Sequence, residues 1–158
     1  IVINTEAFRQ KGFIDSAAKE FGSQCIVVSI DAKLVNGHYK VFVACGQDNT
    51  GLSPAVWSRT MNHAGAGEIL INSIDRDGQK EGYDINLIEE VSINVECPVI
   101  ACGGVGEWEH FYEAFEKTSV DAVAAANIFH YTDQSVYFAK KYLYEKKVNV
   151  RKPDLLKI

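Results

Sequence analysis

Three stretches of this 158-residue chain combine residue types that do chemistry with a place in the chain suited to it. Asp31 closes the apolar run Cys25-Ile-Val-Val-Ser-Ile30, and an acid at the carboxyl end of a buried parallel strand lies where such folds hold ligands. The run Asn72-Ser-Ile-Asp75 echoes Val28-Ser-Ile-Asp31 and opens a second acidic loop, Asp75-Arg-Asp-Gly78. Gly103-Gly-Val-Gly106 then follows the apolar residues after Pro98 and precedes the helically spaced Trp108, Phe111 and Phe115. A strand, a glycine turn and a helix start present backbone N–H groups and partial positive charge to an anion. Carboxylates beside such a turn suit proton transfer on a phosphorylated molecule. The same pieces also serve as a capping acid and a plain tight turn.

Alternating strands and helices must carry these residues. Ile1–Asn4 reads as a strand end, with Thr5 as N-cap of a helix through Phe8, Phe13, Ile14, Ala17, Ala18 and Phe21 to Gly22. After Asp31, the Asn36-Gly37 pair between two β-prone runs predicts a hairpin inserted beyond the second strand. Ser53-Pro54 starts a helix running to about Gly65, Glu68–Ile74 is the third strand, and a helix spans about Asn86–Ile93. Pro98–Ala101, a helix to about Lys117 and the strand Asp121–Ala126 follow. Asp133 caps a last helix with Val136, Ala139, Tyr142 and Leu143 as its buried stripe. Near-continuous apolar strands imply a parallel sheet covered on both faces. The expected fold class is α/β, a partial (β/α)8 barrel of about strands four to eight, in one domain over 1–158. An open flavodoxin-like sheet suits the length but not the hairpin.

Composition narrows the function. A net charge of -5 argues against nucleic-acid binding through a broad basic face, and no apolar run approaches the roughly 20 residues that span a bilayer. Cys25, Cys45, Cys97 and Cys102 form no CxxC pair, and His38, His63, His110 and His130 share no metal spacing, so no metal or cofactor is expected and the thiols read as reduced in a cytoplasmic protein. The opening Ile1-Val-Ile-Asn reads as the end of a buried strand, which leads us to expect a partial sequence.

In order along the chain, Ile3-Asn-Thr5, Phe21-Gly-Ser-Gln24, Ile30-Asp-Ala-Lys33, Asn49-Thr-Gly51, Gly65-Ala-Gly-Glu68, Ser73-Ile-Asp-Arg-Asp-Gly78, Gly82-Tyr-Asp84, Ala101-Cys-Gly-Gly104, Glu109-His-Phe111, Glu113-Ala-Phe115, Phe129-His130 and Val148-Asn-Val-Arg151 resemble the HisF family. These are the cyclase subunits of imidazole glycerol phosphate synthase in histidine biosynthesis. The resemblance implies a (β/α)8 barrel that takes ammonia from a partner glutaminase and converts a bisphosphorylated ribulosyl-formimino nucleotide to imidazole glycerol phosphate and an aminoimidazole nucleotide. Of the two acid–base aspartates of that family, Asp31 matches the second, while the first lies upstream of Ile1. Asp77 matches a further acid near the site, leaving Asp75 a structural role. Asn4 and Thr5 match one phosphate site; Gly103, Gly104 and Asn127 match the other. Cys45, Asn72, Cys102 and Asn127 stand where the family usually has Thr or Ser; Asn72 and Asn127 still donate and accept, whereas a thiol contacts a substrate more weakly. At the opposite face, Glu68 matches the charged ammonia gate and Gln24 the glutaminase contact, though both also fit ordinary surface polarity. A half-barrel exposes an unpaired edge and apolar surface, so self-association is expected. Two other functions fit: an ammonia-channelling relative in surface-sugar synthesis, and a non-catalytic phosphate-binding half-barrel.

Overall fold

The computed structural model describes residues 1–131 and 136–154. Strand β1 (Val2–Ile3) leads into α1 (Thr5–Arg9) and α2 (Phe13–Phe21), then β2 (Val27–Val35), β3 (His38–Val43) and β4 (Asp48–Asn49). Helix α3 (Pro54–His63), β5 (Glu68–Ser73), α4 (Ile85–Ser92), β6 (Val99–Cys102), α5 (Trp108–Lys117), β7 (Ala122–Val123), α6 (Ile128–Tyr131) and α7 (Val136–Glu145) follow.

Strands β1, β2, β5, β6 and β7 pair in parallel in chain order, each with the next. Every parallel step needs a crossover, and helices supply it each time. This succession of neighbouring strand–helix units is the later part of a (β/α)8 barrel. The inserted hairpin is present: β2 turns back into β3 at Asn36-Gly37, both left-handed (φ 50° and 78°), the conformation of a two-residue turn whose twist matches its strands.

Period-two alternation sorts the strand residues. Val28, Ile30 and Ala32 of β2, Ile69 and Ile71 of β5, and Val99 and Ala101 of β6 are buried in the core with Ile14, Met61, Leu87, Val91 and Phe111 from the helices. Their neighbours Ser29 and Asp31, Leu70 and Asn72, and Ile100 and Cys102 face the other way and are only half-buried. Among the described residues one face of the strands is fully covered and the other partly covered.

Other expectations need revision. The first helix is two, because Gly12 adopts φ 81° and breaks the backbone ladder between them. Its stripe is narrower than its spacing suggests: Ile14 and Ala17 are buried, but Phe21 is exposed. Thr5 is the first helical residue rather than the N-cap, and its hydroxyl accepts from the Ala44 N–H (3.1 Å). β2 does not stop at Ile30; parallel pairing with β5 ends at Ala32, and the strand continues as the hairpin arm. β7 is two residues long, and the Ala124 carbonyl just beyond it accepts from the Tyr83 hydroxyl (2.9 Å). Val136 is exposed, while Ala139 and Leu143 anchor α7. Asp133, the expected cap of that helix, lies outside the described residues.

Candidate active site

Alternation and register together bring Asn4, Asp31, Asn72 and Cys102 to one end of the half-open face. Asp31 stands beside Asn72, and Asn72 beside Cys102, across adjacent parallel strands. The Asn4 amide, just past β1, donates to Asp31 Oδ2 (2.9 Å), and the Asn72 amide donates to Asp31 Oδ1 (3.0 Å). A carboxyl group holding one donor on each oxygen is fixed in orientation, with lone pairs left for a substrate proton. Both asparagines, matched by the resemblance to substrate and phosphate contacts, direct an amide to Asp31. Thr5, accepting from Ala44, retains its hydroxyl proton for donation.

Next to this row lies a pocket of about 120 Å³ lined by Asn72, Asp77, Cys102, Gly103, Gly104, Val105, Asn127 and two alanines. Glycine is required at its turn: Gly103 and Gly104 have φ of 91° and 103°, and a Cβ on Gly104 would lie 2.1 Å from the Gly82 carbonyl oxygen. The Gly82 N–H donates to the Gly104 carbonyl (2.8 Å) and braces the turn, while the Asn127 amide donates weakly to the Gly78 carbonyl (3.4 Å) and ties the two neighbouring loops together. Burial, then the nearby Asp77 and Asp31 charges, push the Cys102 thiol pKa up; it remains a neutral, weak donor. The helix start is less available than the sequence suggests. His110 Nδ1 accepts from the N–H groups of Gly106 (3.1 Å) and Glu107 (3.3 Å), so these two donors are already engaged.

Asp75 and Asp77 separate as expected for the former. Asp75 accepts from the Leu34 N–H (2.8 Å) and faces Lys33 (4.0 Å), tying the hairpin to the loop, while Asp77 lines the pocket. The sequence reading missed Asp84 and Tyr39. Asp84 caps α4 through the Leu87 N–H (3.3 Å) and also accepts from the Tyr39 hydroxyl (2.7 Å) and the Ser73 hydroxyl (3.3 Å). Hairpin, β5 and α4 are thus joined at one buried carboxylate. Burial and then the bond to Asp84 raise the Tyr39 pKa well above the ordinary phenol value. An Asp directly before an apolar helical run is an N-cap signal; the Tyr39 partnership has no local signal.

Glu68 and Gln24 occupy the other end of the strands. Glu68 pairs with Val27, four residues before the Asp31–Asn72 pair, which is about 13 Å along a strand. Gln24 lies in the tight helical turn Ser23–Cys25, against which Gly67 packs so closely that a Cβ would fall 2.1 Å from the Ser23 carbonyl oxygen. The four cysteines are free, and among the described residues no three His, Cys, Asp or Glu side chains gather to hold a metal ion. Among those residues, too, no helix is long and apolar enough to cross a membrane.

A partial parallel barrel with an acid and a glycine turn at the carboxyl ends of its strands defines the class: an α/β protein of the (β/α)8 type. Within that class, the model of the family described as histidine biosynthesis protein matches residues 1–135. The chain belongs to that family. It is 44% identical over 151 residues to the imidazole glycerol phosphate synthase subunit HisF of Chloroherpeton thalassium, covering 96% of this chain and 60% of that relative. To the HisF subunit of Lachnoclostridium phytofermentans it is 45% identical over 156 residues, covering 98% of this chain and 60% of the relative. The resemblance to HisF read from the sequence is borne out, and the chain spans about 60% of the length of these curated relatives.

Proposed function

We propose that this chain carries the Asp31 half of a HisF-type cyclase site, which uses ammonia to close the imidazole ring on a bisphosphorylated ribulosyl-formimino nucleotide and cleaves it to imidazole glycerol phosphate and the aminoimidazole nucleotide. The observation that carries this reading is the shared rim: Asp31, clamped by two amides, and the Gly103-Gly104 turn are bridged by Asn72. Ring closure needs a base to take a proton from nitrogen and an acid to protonate the departing oxygen. Asp31, fixed by Asn4 and Asn72 at a strand end, is suited to the first task. The glycine turn with Asn127 holds one phosphate, Asp77 meets the substrate beside it, and Asn4 and Thr5 border the second phosphate. The other acid–base aspartate of the family pattern falls outside the span of this chain.

Glu68 and Gln24, at the far end of the strands, face a glutaminase subunit that delivers ammonia. Residues 1–158 act as one unit, in the cytoplasm. The half-open sheet face and an exposed β1, with Val2 63% accessible, support self-association; a monodisperse monomer in sedimentation would speak against it. Titration with the bisphosphorylated substrate, followed by NMR, tests the site. Perturbation of both the Asp31 row and the Gly103-Gly104 turn supports the reading, and shifts at one alone, or none, overturn it. Binding without turnover in ammonium salt, even when the rest of a relative's chain is supplied, would point instead to a phosphate-binding half-barrel.

A further inference from the structure

We propose that Asn72 is a positioning residue that couples the state of Asp31 to the anion-gripping turn, its amide acting as a two-ended link between them. One end is the bond from Nδ2 to Asp31 Oδ1 (3.0 Å). The other end, Oδ1, is buried with no hydrogen-bond partner, and a Cβ placed on Gly103 would lie 2.8 Å from it. An ionised carboxylate dictates this orientation, because turning the amide over would set two acceptor oxygens against each other. The consequence is an acceptor held against the very turn that grips an anion, an arrangement that opposes anion binding. A neutral group at Asp31 removes the constraint. With its one acceptor side kept on Asn4 and its donor side facing Asn72, that group lets the Asn72 amide turn over, accept at the Asp31 side, and present its N–H to the pocket. Anion binding at the turn and proton uptake at Asp31 thus favour each other, and by linkage each strengthens the other equally. For a base that gains a proton during ring closure, this tightens the hold on the phosphate as the charge on Asp31 is lost. That last step rests on the function proposed above; the link itself does not.

The groups facing Asp31 are Asn4 after β1, Asn72 on β5 and the Cys102 thiol on β6, with Phe42 beside it on β3; Asp77 is the second carboxylate at the pocket. Through-space charge is therefore the rival explanation, and it predicts something different. Sulfate, which does not titrate between pH 4 and 9, is the probe, used on the whole chain in a D77N background. There, D31N should raise sulfate affinity about threefold to tenfold, and in N72A most of that gain should vanish. An equal gain with and without Asn72 would overturn the proposal, since the field of Asp31 does not need Asn72. N72S is the second variant, because one hydroxyl cannot serve both ends; it should behave as N72A does. A second readout needs no anion: the Gly103 amide resonance should follow the titration of the Asp31 carboxyl carbon in the D77N chain and cease to follow it in D77N/N72A. Persistent tracking refutes the link. Failure of sulfate to bind any variant would sink the phosphate reading of the turn, while the Gly103 tracking still decides the inference.

Discussion

Asp31 and Asp84 are held alike and placed differently. Each carboxylate accepts from side chains of two other elements: Asp31 from Asn4 and Asn72, Asp84 from Tyr39 and Ser73. Asn72 and Ser73 are sequence neighbours at the end of β5, so successive residues of one strand reach two carboxylates on opposite faces of the sheet. On the helix side, Asp84 is 9% exposed, and its bonds join the hairpin to α4. On the half-open side, Asp31 keeps access to solvent beside a pocket. What separates the buried acid from the accessible one, to which the proposed chemistry is assigned, is the face and not the number of donors.

Variants can break or sharpen that contrast. The largest stability effect is expected for D84A, which leaves the Tyr39 and Ser73 hydroxyls unpaired and uncaps α4, at a cost of about 2–4 kcal/mol in urea denaturation. D31N should leave the denaturation midpoint within about 1 kcal/mol of wild type, because the site is half-open and both amides can find water. If D31N destabilises as much as D84A, the contrast is wrong. G103A comes next: a left-handed φ of 91° and a Cβ 2.8 Å from both Asn72 Oδ1 and the Ser73 carbonyl oxygen should cost about 1–3 kcal/mol and weaken sulfate binding at least about tenfold. Y39F removes one bond to Asp84 and should cost about 1 kcal/mol near neutral pH.

It also carries a pH signature. The folded-state pKa of Tyr39 is raised, so its neutral form favours the native state; that contribution is complete below the unfolded phenol value of about 10 and is lost as pH rises from there through the folded value. Stability of the wild-type chain should therefore fall above about pH 10, and less steeply in Y39F. Tyr83, buried with its pKa raised in the same direction, leaves a residual slope in the variant. Smallest of all, E68Q at the opposite end of the strands should change neither stability nor sulfate binding beyond about 0.5 kcal/mol. A larger effect on sulfate would join the two ends of the sheet and remove the separation on which the proposed roles rest.

Much of this was legible in local patterns. The Asn36-Gly37 turn, the Ser53 cap with Pro54 behind it, and the apolar runs of β2, β5 and β6 all stand where their residues predict, because each depends on neighbours within a few positions. The reading failed where distant partners compete. The Thr5 hydroxyl bonds Ala44 rather than capping a helix, His110 takes the N–H groups that a glycine-rich turn would otherwise offer, and Asp84 gains Tyr39 from 45 residues away.

Periodicity and turn chemistry alone determined that this chain alternates strands and helices, where its hairpin falls, and that acids and glycines stand at strand ends, since those are properties of short windows. Only the folded sheet decided which of those residues meet. Parallel pairing aligns strands that lie about 40 residues apart, and the register of Asp31 with Asn72 is what turns an aspartate, two asparagines and a glycine turn into one site.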